Sequence, residues 1–207
     1  APVAADRHPD DINIYAGVAV VTGATEAEAK EKYADYLAHA NAEGGLAHFA
    51  ASTGVDFSQY DLDEPIEFGQ GNAIQSAAAA AKKQGWTTRR KLLEQFALGS
   101  RYNTIVGDAN QVADALTHWI DEGEIDGFNL TRVVVPETWE DFANVIVPEL
   151  QNRGRYRTAY DGGTLRQQLF GRGDRLPDHH PAAQWRRAPD RSPESLEPLP
   201  AAVAQAQ

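Results

Sequence analysis

Two positions in this 207-residue sequence combine a residue type and a location that could bind an anion. Gly107-Asp108 opens a predicted helix, and helix N-termini attract anions through their free backbone N–H groups. Because the Asp108 carboxylate would occupy the cap itself and oppose a phosphate, we interpret this pair as a helix cap. Arg132 follows a short apolar segment, residues 126–130, and its guanidinium could face an anionic substrate. Arg132 is therefore retained as a candidate site residue.

Metal and nucleotide chemistry find little support in the sequence. His179-His180 lies next to Asp178, but adjacent histidines without a third spaced ligand are weak evidence, and we predict no metal site. The chain contains no Gly-x-Ser-x-Gly, no His-Glu-x-x-His, no Gly-Lys-Ser/Thr loop and no paired Cys motif. These absences exclude the commonest hydrolase, zinc-protease and nucleoside-triphosphatase classes.

Strand and helix patterns alternate along the chain, which predicts an α/β protein. Residues 12–21 are apolar on both faces towards their end, as in a covered parallel strand, and residues 126–130 form a second short strand. Between and after them we predict helices. One opens at a Thr25/Glu28 capping box, one is capped by Asp108 with Gln111, and one starts at Thr138 and is kinked or divided at Pro148.

Residues 41–71 interrupt this alternation with several glycines, four aromatic residues and a run of acids. Long irregular segments in compact domains are usually binding loops or lids, and the aromatic residues argue against a solvated linker. We interpret residues 41–71 as an inserted lid. A helix over residues 72–83 and another capped by Thr87 or Thr88 should follow it.

Charge and composition limit the classes of partner that the chain could bind. The net charge of −11 argues against nucleic acid, and no segment is apolar enough to span a membrane. The absence of cysteine is consistent with a cytoplasmic protein. Arginines concentrate in residues 153–187, which we interpret as a basic C-terminal extension of one domain, residues 1–187, lying on the acidic body of its own protein. Residues 188–207 are predicted to be a flexible tail.

Two parallel strands do not form a stable sheet, so the predicted elements need a further surface to pack on. That surface would be a missing N-terminal part or another subunit. The chain also contains no methionine, and we favour the interpretation that it is part of a longer sequence.

Five segments together resemble one enzyme family. They are residues 53–66 (TGVDFSQYDLDEPI), 105–114 (IVGDANQVAD), 126–130 (DGFNL), 141–154 (DFANVIVPELQNRG) and 164–171 (TLRQQLFG). This set is similar to the last third of flavin-dependent monooxygenases of the bacterial-luciferase superfamily, of the nitrilotriacetate, dimethylsulfide and dibenzothiophene-sulfone type. The resemblance covers residues 8–186. It implies the C-terminal portion of a (β/α)8 TIM barrel, with residues 12–21 as the seventh strand and residues 126–130 as the eighth.

The resemblance also implies a chemistry and a set of partners. Family members use reduced FMN, supplied by a separate NAD(P)H-dependent flavin reductase, and O2 as co-substrate. They oxidise a small organosulfur, amine or aminopolycarboxylate substrate, and a C–S or C–N bond breaks. The complete protein would be a homo-oligomer. Because most flavin contacts would lie upstream, the chain alone is expected to be inactive.

The resemblance places pocket residues in the lid and around the last strands, although no catalytic residue can be assigned. The implied pocket residues for substrate or flavin are Ser52, Thr53, Gly54, Phe57, Arg101, Tyr102 and Arg132. Some sulfone-oxidising relatives carry a histidine where this chain has Ser52, and only His48 lies nearby. That departure argues against a dibenzothiophene-sulfone substrate.

Two alternatives remain open at this point. The chain could be a non-catalytic half-barrel that acts as an assembly or interaction module by burying its sheet edge against a like chain. It could also belong to a relative that uses the deazaflavin F420 instead of FMN.

Overall fold

The computed structural model describes residues 11–68, 74–98, 102–160, 162–178 and 180–185. These residues form three strands and eight α-helices in two compact units, one made of the described residues up to 158 and the other of those from 159 on. The elements of the first unit are β1 (Tyr15–Thr22), α1 (Glu26–Ala38), α2 (Ala42–Thr53), α3 (Gln75–Lys83), α4 (Arg89–Phe96), β2 (Asn103–Gly107), α5 (Ala109–Gly123), β3 (Gly127–Thr131), α6 (Glu137–Asp141) and α7 (Val147–Asn152), and the second unit contains α8 (Leu165–Phe170). No helix among the described residues is long and apolar enough to cross a membrane.

The three strands form a parallel sheet in the order β2-β1-β3. The central strand begins at Tyr15, three residues later than predicted, and Ile12 and Ile14 before it are exposed. Residues 18–22 are all buried, so both faces of the second half of β1 are covered. This confirms the sequence-based interpretation of a parallel strand covered on both sides.

The prediction of only two strands was wrong. Asn103–Gly107 forms β2, which pairs with the second half of β1 in the register Val18↔Asn103 to Thr22↔Gly107. β2 is short and only its last residue is buried, so its sequence carries little strand signal. The two predicted strands, β1 and β3, are direct neighbours in the sheet, although β2 lies between them in the sequence.

One face of the sheet packs against α5 and the last helical segment of this unit. The buried members of this sheet cluster are Val18, Val20, Val112, Ala113, Leu116, Ile146 and Leu150. α5 starts as predicted: the Asp108 carboxylate accepts a hydrogen bond from the Gln111 N–H at 2.9 Å, and the Gln111 side chain accepts from the Asp108 N–H. This capping box fixes the point where the chain turns from β2 into the helix.

The segment predicted to be an irregular lid is partly helical. Residues 42–53 form α2, capped by Asn41 and ended by Gly54 in the left-handed conformation (φ 67°). This helix builds a second hydrophobic core, the helical cluster, with α3 and α4: Leu46, Phe49, Phe57, Ile66, Phe68, Ala78, Ala81, Leu92 and Phe96. Within this chain the segment therefore covers α3 and α4.

The helical stretch from Glu137 to Asn152 is divided as Pro148 predicts. A π-helical turn, Phe142–Ile146, separates α6 from α7, and Pro148 lies in the first turn of α7, where it needs no N–H partner. The helix predicted to start at Thr138 begins one residue earlier, at Glu137, after Pro136. Beyond α7, Arg153 and Arg155 form ion pairs with Asp114 and Asp121 of α5, and the basic extension over residues 153–187 stays a prediction.

The described part of the second unit contains one short α-helix, α8, and a 3-10 helix, Pro181–Trp185. Thr164 caps α8, and the Gln167 side chain completes a capping box. The Arg166 guanidinium lies 5.2 Å from the ring centre of Phe170. The predicted tail, residues 188–207, lies outside the described residues, and the domain bounds 1–187 remain a prediction.

Candidate functional site

A cavity of about 580 Å³ lies beside the segment that follows the carboxyl end of β3. Val133 and Val134 form one wall, the last turns of α1 form another, and Ala97 and Leu98 after α4 form a third. The wall formed by the end of α1 and the residues just after it consists of Asp35, Tyr36, His39, Ala40 and Asn41. Its volume is within the range of small-molecule sites, and the carboxyl end of a barrel strand is where such sites are found.

Two ion pairs and one hydrogen bond join α1 to α6 next to this cavity. The Lys32 ammonium lies 2.8 Å from a carboxylate oxygen of Glu137 and 2.5 Å from one of Asp141. The Tyr36 hydroxyl donates to the other Glu137 oxygen at 2.5 Å. These four residues, the α1–α6 network, hold the Tyr36 ring in place as a cavity wall.

The network shifts the titration of its members. Burial, and then the hydrogen bond to Glu137, raises the pKa of Tyr36 to about 12. Hydrogen bonds from Lys32 and Tyr36 hold the pKa of Glu137 below its ordinary value. Burial alone would lower the pKa of Lys32, but its hydrogen bonds to Asp141 and Glu137 outweigh burial and raise it. The network is therefore a fixed ion pair at neutral pH, with no proton near release.

Thr138 sets the shape of the wall after β3. Its buried side-chain oxygen accepts hydrogen bonds from the backbone N–H groups of Val133 and Val134, both at 3.0 Å. Because those two N–H groups point inward to Thr138, the valine side chains are held against the cavity. The Thr138 side chain is therefore a local anchor for the turn that precedes α6.

The lid residues predicted to line a pocket lie in or beside the helical cluster. Phe57 is 2% exposed and stacks on Phe49 at 5.7 Å, and the Thr53 hydroxyl donates to the Phe49 carbonyl at 3.0 Å. The Ser52 hydroxyl donates to a carbonyl of its own helix, and Gly54 is the C-cap. None of these four is among the described residues that line the cavity.

The other predicted pocket residues lie close in sequence to residues that line the cavity. Arg132 is exposed and immediately precedes Val133. Tyr102 is 41% exposed, and its ring lies over Gly17 of β1, where a Cβ atom would come within 2.3 Å of it. Arg101 lies outside the described residues, three positions after Leu98. The structure thus separates the lid residues from Tyr102 and Arg132.

Other features of the described residues are weaker candidates for a functional site. A second cavity of about 350 Å³ lies at the amino end of the sheet, between Ala16 and the last turns of α5. The buried hydroxyl of Thr22, at the carboxyl end of β1, has no hydrogen-bond partner. Among the described residues no cluster of three or more His, Asp or Glu side chains could hold a metal ion.

The sequence did not reveal the α1–α6 network. Its partners are about a hundred positions apart, and Lys32, Tyr36, Glu137 and Asp141 each look like ordinary surface residues of amphipathic helices. One signal was available: Lys32 and Tyr36 are four residues apart and so share a helix face. Identifying their partners required knowledge that α1 and α6 are adjacent.

Comparison with known proteins gives consistent matches. A family model described as luciferase-like monooxygenase matches residues 3–124. The chain is 41% identical over 192 residues to dimethyl-sulfide monooxygenase of Hyphomicrobium sulfonivorans, covering 89% of this chain and 39% of that protein. It is 38% identical over 182 residues to long-chain alkane monooxygenase of Geobacillus thermodenitrificans (strain NG80-2), covering 87% of this chain and 38% of that protein.

Solved structures agree. The crystal structure of DmoA from Hyphomicrobium sulfonivorans matches with a TM-score of 0.74 and 38% identity, over 88% of this chain and 39% of that one. A riboflavin lyase, RcaE, solved with modified FMN and riboflavin, matches with a TM-score of 0.76 and 32% identity, over 90% of this chain and 41% of that one. The chain thus spans about two fifths of the length of these relatives.

Proposed function

The chain belongs to the luciferase-like monooxygenase family, and we propose that it acts as the C-terminal part of an FMN-dependent, two-component monooxygenase. The observation that carries the proposal is the 41% identity to dimethyl-sulfide monooxygenase over 89% of the chain. The sheet supports it, because its three strands are all parallel, as the strands of a (β/α)8 barrel are. In this proposal the three strands belong to the C-terminal portion of such a barrel.

The proposed reaction oxidises a small organosulfur or amine substrate, including aminopolycarboxylates, with cleavage of a C–S or C–N bond. Reduced FMN, supplied by an NAD(P)H-dependent flavin reductase, activates O2. A relative named nitrilotriacetate monooxygenase component A, 34% identical, supports a multi-component system by its name. The proposed complete enzyme is a homo-oligomer.

The residues present fit a partial flavin or substrate pocket. Tyr102 offers a half-exposed ring next to the central strand, and Arg132 offers an exposed guanidinium at the end of β3. We propose that these two, with Arg101, contact flavin or substrate. Ser52, Thr53, Gly54 and Phe57 lie in or beside the helical cluster and do not line the cavity, so a pocket contact from them would form only in the complete protein. Thr138 and the α1–α6 network hold the wall after β3 in place.

Anaerobic titration with reduced FMN tests this proposal. Two proteins are titrated: this chain alone, and a chimera in which this chain replaces the matched region of dimethyl-sulfide monooxygenase. We expect the chimera to bind one reduced FMN and this chain alone to bind none. Arg132→Gln in the chimera should weaken binding of flavin or substrate by about tenfold, the loss of one charge-assisted contact. A chimera that folds and binds no flavin would contradict the proposal.

A second candidate is an assembly module without catalysis. Within the described residues β2 and β3 each pair on one side only, which leaves two strand edges for another chain. A monodisperse dimer of this chain that melts cooperatively would favour this candidate, whereas a chain that stays monomeric would favour the enzyme.

A further inference from the structure

We propose that Thr138 is a positioning residue for Arg132 and thereby strengthens the binding of reduced FMN. The inference rests on the proposed function, because it takes Arg132 to contact the flavin. Reduced FMN is the anionic ligand that all of the proposed reactions share, whichever substrate is oxidised. Thr138 itself touches no ligand in this proposal and acts through the β3–α6 turn, residues 132–136.

Thr138 binds the β3–α6 turn at three points. Its hydroxyl oxygen accepts hydrogen bonds from the backbone N–H groups of Val133 and Val134, both at 3.0 Å. Its own N–H donates to the Val134 carbonyl oxygen at 2.8 Å. Both backbone polar groups of Val134 are therefore bound to one residue. Thr138 is 5% exposed, so little water competes for these hydrogen bonds.

Arg132 lies between two fixed points of the backbone. Thr131, the residue before it, ends β3 and is paired with Ala19 of β1. Val133, the residue after it, is bound by Thr138. Exposed residues that follow a strand are usually mobile, but here the chain is held on both sides of the exposed Arg132. Its guanidinium therefore extends from a backbone position that is set before any ligand binds.

The start of α6 is itself held, which Thr138 needs in order to act as an anchor. Glu137, the residue before Thr138, lies 2.8 Å from the Lys32 ammonium and accepts a hydrogen bond from the Tyr36 hydroxyl at 2.5 Å. Lys32 and Tyr36 belong to α1, which follows β1 after only residues 23–25. The turn is thus connected through Thr138, α6 and α1 back to the central strand of the sheet.

Removing the Thr138 hydroxyl should release the turn. Thr138→Val keeps the shape of the side chain and removes the acceptor of two N–H groups. Ordering the backbone of one residue costs an amount of free energy that corresponds to about tenfold in affinity. If Arg132 has to be ordered again when the flavin binds, the Kd for reduced FMN should rise by about tenfold.

Amide hydrogen exchange in this chain tests the anchor without any ligand. The Val133 and Val134 amides should exchange at least about tenfold faster in Thr138→Val, whereas the amides of β1 keep their rates. Thr138→Ser retains the hydroxyl and should retain the slow exchange. Thr117→Val is the matched control: the buried Thr117 hydroxyl has no hydrogen-bond partner among the described residues, so its removal should leave both valine amides unchanged.

A double-mutant cycle in the chimera tests whether Thr138 acts through Arg132. The Kd for reduced FMN is measured anaerobically for the parent, Thr138→Val, Arg132→Gln and the double variant. Thr138→Val should raise the Kd by about tenfold in the parent and by less than about twofold in Arg132→Gln, where the positioned arginine is already gone. Thr138→Ser should stay within about twofold of the parent.

A weaker variant covers the case in which Thr138→Val does not fold. Thr138→Cys has a similar size and a poorer acceptor, so it should raise the Kd by about threefold and speed exchange of the same two amides.

Three results would overturn the inference. They are unchanged exchange of the Val133 and Val134 amides in a folded Thr138→Val, an unchanged Kd for reduced FMN, and a rise in Kd that is equally large with and without Arg132. The last result would make Thr138 a structural residue only. A parent chimera that binds no reduced FMN would instead contradict the proposed function, and the exchange measurement separates that failure from loss of the anchor.

Discussion

Replacing Phe49 with alanine tests whether the segment predicted to be a lid really builds a core. Phe49 is 3% exposed and stacks on Phe96 at 4.4 Å and on Phe57 at 5.7 Å. Truncating a buried phenylalanine costs about 3–5 kcal/mol, and loss of two ring contacts places this site in the upper half of that range. We therefore expect a loss of about 4 kcal/mol in the free energy of unfolding.

Urea unfolding followed by circular dichroism measures this loss. With a slope of about 2 kcal/mol per molar urea, the midpoint should fall by about 2 M. Phe49→Leu keeps most of the buried volume and should lose less than about 2 kcal/mol. Hydrogen exchange should show faster exchange in α2 and α4 before any change in the strands, because the two hydrophobic clusters are separate.

Leu62→Ala is the matched control, because Leu62 is 42% exposed and lies in the same segment. Its expected effect is within about 0.5 kcal/mol. If Phe49→Ala costs less than about 1 kcal/mol, or no more than Leu62→Ala, the segment is a mobile cover and the helical cluster does not exist as described.

Three further predictions concern polar contacts. Glu137→Gln should lower the pKa of Tyr36 from about 12 towards its ordinary value, measured by absorbance titration of the phenolate. The pKa of Glu137 is depressed in the folded protein, so its ionised carboxylate stabilises the fold above about pH 4.3, and this stabilisation is lost as the pH falls through the depressed pKa. The free energy of unfolding of the variant should therefore change less with pH in that window than that of the unchanged chain. Asp108→Ala should cost about 1 kcal/mol in thermal unfolding by removing one half of a capping box, and an unchanged Tm would refute that role. Arg153→Ala should cost less than about 1 kcal/mol at low salt and nearly nothing at high salt, because its pair with Asp114 is partly exposed; a salt-independent loss would indicate packing instead.

Helix caps and the helix break could be predicted from the sequence. The Asp108/Gln111 box, the Thr88 cap of α4 and the break at Pro148 all depend on residues within a few positions of one another, and each is where it was predicted. The Thr25 cap differs in one detail: the Glu28 carboxylate accepts from the Ala24 N–H, one residue earlier than a capping box requires.

Contacts between residues far apart in the sequence could not be predicted from it. β2 has three central residues of strand type, and its pairing with β1 depends on a partner more than eighty positions away. Glycines and acids made residues 41–71 look irregular, but burial of Leu46 and Phe49 against α4 stabilises a helix there despite Gly44 and Gly45.

For the candidate site, the sequence-based candidates remain predictions, and the residues that line the cavity were not among them. Arg132 was singled out because it follows a strand, and the cavity does begin at the next residue. Thr138 was predicted only to start a helix, whereas its hydroxyl also binds the turn before that helix. The α1–α6 network could not be predicted, because it depends on the tertiary approach of two helices about a hundred positions apart.

Turnover by the chimera tests the central claim most directly. The chimera carrying this chain as its C-terminal part, supplied with O2, an NAD(P)H-dependent flavin reductase and FMN, is offered diethyl sulfide, and O2 uptake and the cleaved product are quantified together. The account predicts substrate-dependent O2 uptake above the rate of free reduced flavin, with stoichiometric product, and none from this chain alone. A folded chimera that binds reduced FMN but consumes O2 only at the free-flavin rate, with every sulfide and amine offered, would contradict it.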